Sequence, residues 1–343
     1  MTAWHEKIAA ASTQADWQAL IDEAMPGFDC WGDSITEGFL GDGVTYPATL
    51  AGLMEERLFD PIRESSGFSG LTAPPVRNMG VCTETTAEIT GRRGAVPFSV
   101  MEAFEIPADQ TPVDFWFWSS DHGQVTKPLR HGDGTYGGNG INPVTIAGVG
   151  GELLRYYDEE MDSSRYQFKR AKAGDPVSVN PGEYVLTDAS GKYGEDFAVV
   201  LMGANGGYED PANLVDHFGR MAGMQKNEHY LLLGMGHRPE DNGRLSQEET
   251  ESLAETFGEH FISLQEWMAE NGIEYANRYI DAGITPTAED EKRMEQGITP
   301  ASLLNEDDLH YTPVGYQVIA YLVYDEMDAR GYFDDLKALA GKK

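Results

Sequence analysis

Short, largely apolar runs along the chain predict the strands of a parallel sheet. The runs at 196–203 (DFAVVLMG) and 229–236 (HYLLLGMG) lack polar alternation, which is typical of central strands that are covered on both faces. Residues 26–31 (PGFDCW) predict a short buried strand that ends at a glycine. Two further short strands are predicted at 75–81 and 273–279, so the sequence supplies five candidate strands.

Apolar positions at helical spacing predict helices between these strands. Residues 46–58 have this spacing and carry a proline near the start. Residues 246–271 open with Ser-x-x-Glu, a capping box, and predict one long helix. Residues 312–331 predict a closing helix. Because strands alternate with helices, we expect an α/β fold with a parallel, doubly wound sheet.

Residues 108–194 interrupt this alternation. Short β-like runs such as VDFWFWSS and GEYVLTD are separated there by Gly, Asn and Asp turn signals, with no helix longer than two turns. We therefore expect an inserted β-rich subdomain over 108–194. The α/β domain would be discontinuous, formed by 24–107 and 195–343, and preceded by a helical extension over 1–23.

Composition narrows the classes of partner. The chain of 343 residues has 25 Lys and Arg against 57 Asp and Glu, a formal net charge of −32. A surface of that charge repels phosphate backbones and anionic lipids, so we expect neither nucleic acid nor membrane as a partner. No basic start followed by an apolar run marks a signal peptide. We expect a cytoplasmic protein, or an exported one if a leader has been removed; the oligomeric state stays open.

The candidate chemistry begins in the segment WGDSITEGFLGDG, residues 31–43. Asp33 and Ser34 can be helix-capping residues, or Ser34 can be a nucleophile held on a strand-to-helix turn. A serine nucleophile needs a base, and His310 in NEDDLHYTPVGY has Asp307 three positions before it. Taken alone, this Asp-x-x-His is typical of a solvated loop that precedes a helix.

Two further blocks occur in order between these segments. They are NMGVCTET at 78–85, after the second predicted strand, and GANG at 203–206, after the third. Together with Gly-Asp-Ser and Asp-x-x-His, they resemble the four blocks of the SGNH (GDSL-type) hydrolase family. The resemblance covers about 24–105 and 195–335. It implies a three-layer α/β/α sandwich with a flavodoxin-like parallel sheet, and no cofactor.

The resemblance also implies a role for each matching residue. Ser34 would be the nucleophile, His310 the base, and Asp307 the group that orients the imidazole. The oxyanion would be bound by the backbone N–H groups of Ser34 and Thr83 and by the side chain of Asn205. Gly80 is the alternative donor if the second block is shifted. Gly206 departs from the family pattern, since it stands where an aspartate is usual. Substrate-binding positions would be Asp33, Gly203 and His237, with Asp33 mainly shaping the turn.

Other reactive side chains receive simpler interpretations. Cys82 could be a thiol nucleophile, but a buried structural cysteine is the better expectation. Cys30 and Cys82 could pair only if they lie on neighbouring strands. The separation of His122 and His131 matches no tight metal-ligand motif, so no metal is expected.

The function predicted from the sequence is ester hydrolysis through an acyl-enzyme. We expect a carbohydrate O-acetylesterase or a short-chain carboxylesterase that acts on a small-molecule or carbohydrate ester. A thioesterase or lysophospholipase of the same family is the alternative. From another class, a non-catalytic carbohydrate-binding protein on a hydrolase scaffold is also possible.

Overall fold

The structure, a computed structural model, describes residues 3–119, 140–158, 163–236 and 244–341. Its α-helices are α1 (Ala3–Ala10), α2 (Gln14–Ala24), α3 (Ser34–Glu37), α4 (Tyr46–Met54), α5 (Asp60–Ser66), α6 (Thr86–Arg93), α7 (Pro211–Gly223), α8 (Gln247–Phe257), α9 (Leu264–Ile280), α10 (Ala288–Glu295), α11 (Pro313–Ala329) and α12 (Asp334–Leu339). Its strands are β1 (Phe28–Gly32), β2 (Val76–Gly80), β3 (Phe98–Val100), β4 (Phe104–Ile106), β5 (Val113–Phe115), β6 (Phe117–Ser119), β7 (Val144–Ile146), β8 (Val149–Asp158), β9 (Ser163–Arg170), β10 (Val177–Val179), β11 (Tyr184–Leu186), β12 (Phe197–Met202), β13 (Tyr230–Gly234) and β14 (Phe261–Ser263).

Five of these strands form a parallel sheet in the order β14-β13-β12-β1-β2. Numbered along the chain, the order is 2-1-3-4-5, which is one of the two common doubly wound orders. In such sheets, ligands bind beyond the carboxyl ends of the strands, where the direction of winding reverses. Here that point lies between β1 and β12.

Helices flank both faces of the parallel sheet. Along β12, Val199 and Leu201 join a core with α4, α9 and α11, while Val200 and Met202 face α6, α7 and α8. Every residue of β12 is buried, which explains the absence of polar alternation in that run. The structure is therefore mixed α/β, and this part of the predicted fold class is confirmed.

The prediction of one long helix over 246–271 is wrong. The capping box forms, because the Ser246 hydroxyl accepts from the Glu249 N–H and the Glu249 carboxylate from the Ser246 N–H, but α8 ends at Phe257. The short edge strand β14 then pairs with β13 before α9 begins. A three-residue strand is too short to change the apolar periodicity of the segment.

The strand predicted at 273–279 is wrong for a related reason. These residues lie in α9, where Ile273 and Ala276 are buried in the main core together with Met268. Their spacing fits one face of a helix, and packing of that face outweighs the aromatic and β-branched residues of the run. The fifth parallel strand is therefore β14.

A second sheet of seven antiparallel strands has the order β5-β9-β8-β7-β11-β3-β6, and β4 pairs with β10. This sheet encloses its own apolar core. Most strands of the two antiparallel sheets lie within 108–194, but β3 and β4 precede residue 108. Over the described residues, no helix is long and apolar enough to cross a membrane.

The two ends of the chain pack on the main core. Within the predicted extension over 1–23, Leu20 and Ile21 of α2 are buried there. The predicted closing helix is α11, and the short α12 follows it. Helix α11 matters for the site because the loop before it carries Asp307 and His310.

Candidate active site

The turn after β1 holds Ser34 at the first position of α3. Asp33 is the N-cap residue, and its Oδ1 accepts a hydrogen bond from the Ile35 N–H at 3.0 Å. Because Ser34 is the first helical residue, its own N–H has no partner within the helix. The capping interpretation of Asp33 is therefore correct, and it leaves the Ser34 hydroxyl and N–H open to other partners.

The loop before α11 brings Asp307 against His310. Asp307 Oδ2 lies 2.6 Å from His310 Nδ1, and Oδ1 accepts from the His310 N–H at 3.0 Å. The loop is closed by a bridge between Leu304 and Tyr311, and Thr312 caps the helix that follows. The short Asp-x-x-His segment is thus an ordered turn in which the carboxylate fixes the imidazole.

Ser34 and His310, 276 residues apart in the chain, are joined by a hydrogen bond. His310 Nε2 lies 2.8 Å from Ser34 Oγ, and both residues are nearly buried, with 8% and 4% exposure. Burial acts to raise the pKa of Asp307, but hydrogen bonds from the His310 side chain and backbone outweigh it and lower that pKa. Asp307 therefore stays ionised near neutral pH and can stabilise a protonated His310.

The third and second blocks adjoin the same turn. Asn205, which follows β12, donates from Nδ2 to the Glu84 carbonyl at 3.1 Å and lies 3.4 Å from Asp33 Oδ2. Thr83 has a positive φ of 65°, which is rare for a β-branched residue and fixes the direction of its backbone N–H. The carboxyl ends of β1, β2 and β12 thus contribute the first three blocks.

Of the two donors considered in the second block, Gly80 has its N–H engaged within the protein. The Gly80 N–H already donates to Asn78 Oδ1 at 2.9 Å, so it is not free to bind a developing oxyanion. Gly80 serves a different purpose, since a Cβ there would lie 2.1 Å from the Glu37 backbone nitrogen. It allows β2 to end directly against α3.

The remaining predicted positions differ in their placement. Gly203 has a φ of 118°, and a Cβ there would lie 1.8 Å from the Met235 carbonyl oxygen, so its role is close packing between strand ends. Gly206 completes a turn in which its N–H donates to the Gly203 carbonyl at 2.9 Å. His237 lies outside the described residues, as do His122 and His131.

Cys82 lies beside Ser34 but lacks the properties of a nucleophile. Its thiol contacts the Ser34 hydroxyl, and burial, followed by the charges of Glu37 and Asp33, raises its pKa to about 11. A thiol with that pKa is almost wholly protonated at neutral pH. Cys30 and Cys82 are both buried and free, so the disulfide considered from the sequence does not form.

Three positions around the site were not predicted from the sequence. Glu37 accepts a short hydrogen bond from the Cys82 N–H and so fixes the second block. Arg92 forms a fully buried ion pair with Glu84 at 2.8 Å and also donates to the Gly32 carbonyl at 3.3 Å. These contacts join the first two blocks behind Ser34. The only signal in the sequence was the pair of arginines in GRRG, residues 91–94. These arginines lie in α6, a helix in which every residue is buried.

The buried Asp33 carboxyl gives a prediction for the pH dependence of stability. Burial raises its pKa from 3.8 to about 7, against the hydrogen bond from the Ile35 N–H. Between those pH values the folded protein binds a proton that the unfolded chain has lost, so stability falls as pH rises. In Asp33→Asn, which keeps a capping oxygen, the decline should be shallower by up to about 1.4 kcal/mol per pH unit, the contribution of this one carboxyl. Burial also raises the pKa values of Asp29 and Glu84 to about 7, and their contributions remain in both proteins. Urea unfolding of both proteins from pH 4 to pH 7 measures the difference, and parallel curves would contradict the buried titration.

Chemically, the arrangement can deprotonate a hydroxyl. An imidazole that bonds a serine hydroxyl through one nitrogen and a carboxylate through the other is the general arrangement of an activated serine nucleophile. No group of three or more His, Cys, Asp and Glu side chains within the described part of the chain is placed to hold a metal ion. Comparison with protein-family models, with curated proteins and with solved structures finds no match for this chain.

Proposed function

We propose that the protein is a serine ester hydrolase of the SGNH type, which acts through an acyl-enzyme. The observation that carries the proposal is the line of hydrogen bonds from Ser34 Oγ to His310 Nε2, and from His310 Nδ1 to Asp307. This geometry supports the proposal more strongly than the motifs alone do, because segments near opposite ends of the chain meet with the required atoms facing each other. The parallel sheet with Ser34 and Asn205 at its point of reversal is consistent with the same family.

In the proposed acylation step, Ser34 Oγ attacks the ester carbonyl carbon while its proton passes to His310 Nε2. Asp307 stabilises the imidazolium that results. The negative charge on the carbonyl oxygen would be bound by the N–H groups of Ser34 and Thr83 and by Asn205 Nδ2. When the tetrahedral intermediate collapses, the bond to the alcohol oxygen breaks and His310 gives that oxygen the proton.

Deacylation repeats the sequence with water. His310 Nε2 takes a proton from the water as its oxygen attacks the acyl carbon, and the Oγ–acyl bond then breaks. The proton returns to Ser34, and the carboxylic acid leaves. No atom or electron is required beyond the ester and one water molecule, so the residues present suffice for the reaction.

Asn205→Ala tests the oxyanion role. One N–H of Asn205 donates to the Glu84 carbonyl at 3.1 Å and the other makes a long hydrogen bond to Asp33 Oδ2 at 3.4 Å. We expect this second N–H to exchange the Asp33 carboxyl for the oxyanion in the transition state. Loss of one such donor lowers kcat by about 10²- to 10³-fold with little change in KM. Steady-state kinetics on a p-nitrophenyl ester measure the effect, with circular dichroism as the control for folding. A kcat within threefold of wild type would remove Asn205 from the oxyanion site.

Labelling with a fluorophosphonate tests the proposal against a non-catalytic binding protein on the same scaffold. We expect one adduct on Ser34 of the folded protein and none after denaturation, because reaction needs the intact triad. A folded protein that remains unlabelled would favour the binding protein.

The acyl preference distinguishes the esterase from its alternatives. A carbohydrate O-acetylesterase or short-chain carboxylesterase should hydrolyse p-nitrophenyl acetate fastest and lose activity as the acyl chain lengthens. A thioesterase or lysophospholipase should show the opposite trend. A single series of p-nitrophenyl esters, from acetate to dodecanoate, separates the two groups.

A further inference from the structure

The candidate site has an apolar rim. Within the described parts of the chain, four large apolar side chains are exposed, and two of them, Phe39 (45%) and Leu40 (46%), are adjacent. They follow α3 directly, the helix that begins with Ser34. The Phe39 ring packs edge-on against the His310 imidazole, with ring centroids 4.8 Å apart. Contiguous exposed apolar surface beside a polar site is typical of a binding surface.

The backbone holds these two side chains in place. Leu40 has a φ of 60°, an unfavourable conformation for a bulky residue. The Tyr316 hydroxyl donates to the Phe39 carbonyl at 2.7 Å, and Asn305 Nδ2 donates to the Leu40 carbonyl at 3.2 Å. Both anchors belong to the segment that contains His310. A strained, exposed leucine fixed by the catalytic loop is better explained by ligand contact than by folding alone.

The chemistry of the site indicates which part of a substrate would reach this rim. This step rests on the proposed function. His310 Nε2 must give its proton to the alcohol oxygen as the bond to the acyl carbon breaks, so that oxygen lies within hydrogen-bond distance of the imidazole. The group bonded to the oxygen then lies beside His310, where Phe39 packs and Leu40 continues the surface.

We propose that Phe39 and Leu40 bind the alcohol part of the ester, and that this alcohol carries an alkyl or aryl group. The acyl part would lie on the opposite side of Ser34, toward Thr83 and Asn205. The proposal has a kinetic signature. The alcohol takes part only in acylation, whereas all acetate esters share one acetyl-enzyme, so its contacts change kcat/KM and not the rate of deacylation.

The test uses ethyl, butyl and hexyl acetate, which share the acyl group and have alcohols of similar acidity. In the wild type, we expect kcat/KM to rise about tenfold from ethyl to hexyl acetate, because the added methylenes contact the rim on one side only. In Leu40→Asn, which removes the apolar group at a position whose φ Asn tolerates, the ratio should fall to about twofold. Leu186→Asn is the matched control, since Leu186 is 40% exposed on β11 and should keep the wild-type ratio.

A second series of ethyl acetate, butyrate and hexanoate varies the acyl part alone. Leu40→Asn should leave the trend of kcat/KM along this series unchanged. An acetate series that shows no dependence on the alcohol, or a Leu40→Asn variant that keeps the wild-type ratio, would overturn the assignment and leave the esterase intact. A variant that changes the acyl series instead would also overturn it. If the wild type hydrolyses none of the esters, the proposed function itself fails.

Discussion

Ser34→Ala is expected to lower kcat for ester hydrolysis by about 10⁴-fold or more, with little change in KM. The variant keeps the fold and the N–H groups proposed to bind the oxyanion, but it has no Oγ to attack the carbonyl. In the wild type this Oγ lies 2.8 Å from His310 Nε2, which would take its proton. Water activated by His310 would account for what activity is left. Stopped assays with p-nitrophenyl acetate and purified variant measure the loss.

The control for this experiment is Ser99→Ala. Ser99 is as buried as Ser34, at 4% exposure, but it lies in β3 of the antiparallel sheet. It should retain wild-type kinetics, which shows that removal of a buried serine hydroxyl is not itself harmful. Equal activities of Ser34→Ala and wild type would exclude Ser34 as the nucleophile.

Arg92→Met is expected to lower the free energy of unfolding by about 4 kcal/mol, the largest stability effect that we predict. Both side chains of the Arg92–Glu84 pair are fully buried, so removal of the guanidinium leaves the Glu84 carboxyl without its partner in the protein interior. Burial already raises the pKa of this carboxyl to about 7 against the effect of Arg92, so without Arg92 it must take up a proton or stay charged at high cost. The variant also loses the hydrogen bond to the Gly32 carbonyl, next to the turn that holds Ser34. Urea denaturation at pH 7 measures the change.

Two comparisons make this prediction specific. In Arg92→Met combined with Glu84→Gln, no unpaired charge is buried, so part of the lost stability should return. Arg278→Met removes an arginine from an exposed pair with Glu274 and should cost less than about 1 kcal/mol. A cost for Arg92→Met as small as that of Arg278→Met would contradict the structural role given to the buried pair.

The strands were predictable where burial alone determines the pattern. Every residue of β1 and β12 is buried, so a largely apolar run marks each strand in the sequence, whichever elements pack against it. At the edge of the sheet, β14 is three half-buried residues between two helices, and its sequence resembles the helices that flank it. Residues 273–279 have strand-like composition but lie in α9, because contacts with the main core decide between the two structures.

The candidate triad was predictable because its chemistry restricts residue type and order. Ser34 directly follows a strand, and Asp307 and His310 directly precede a helix. Short sequence motifs mark both positions. Residues that hold the triad carry no such restriction. The buried pair of Arg92 with Glu84 and the Glu37 contact with Cys82 depend on which segments meet in space, and a single sequence does not record that.

The central claim is that Ser34 forms an acyl-enzyme, and one measurement tests it most directly. The protein is mixed with p-nitrophenyl acetate, quenched in acid during turnover, digested and analysed by mass spectrometry. We predict one acetyl group per molecule, located on Ser34 and absent from Ser34→Ala, that disappears when the substrate is exhausted. Hydrolysis that proceeds without an acetyl group on Ser34, or with one on Cys82 instead, would contradict the account.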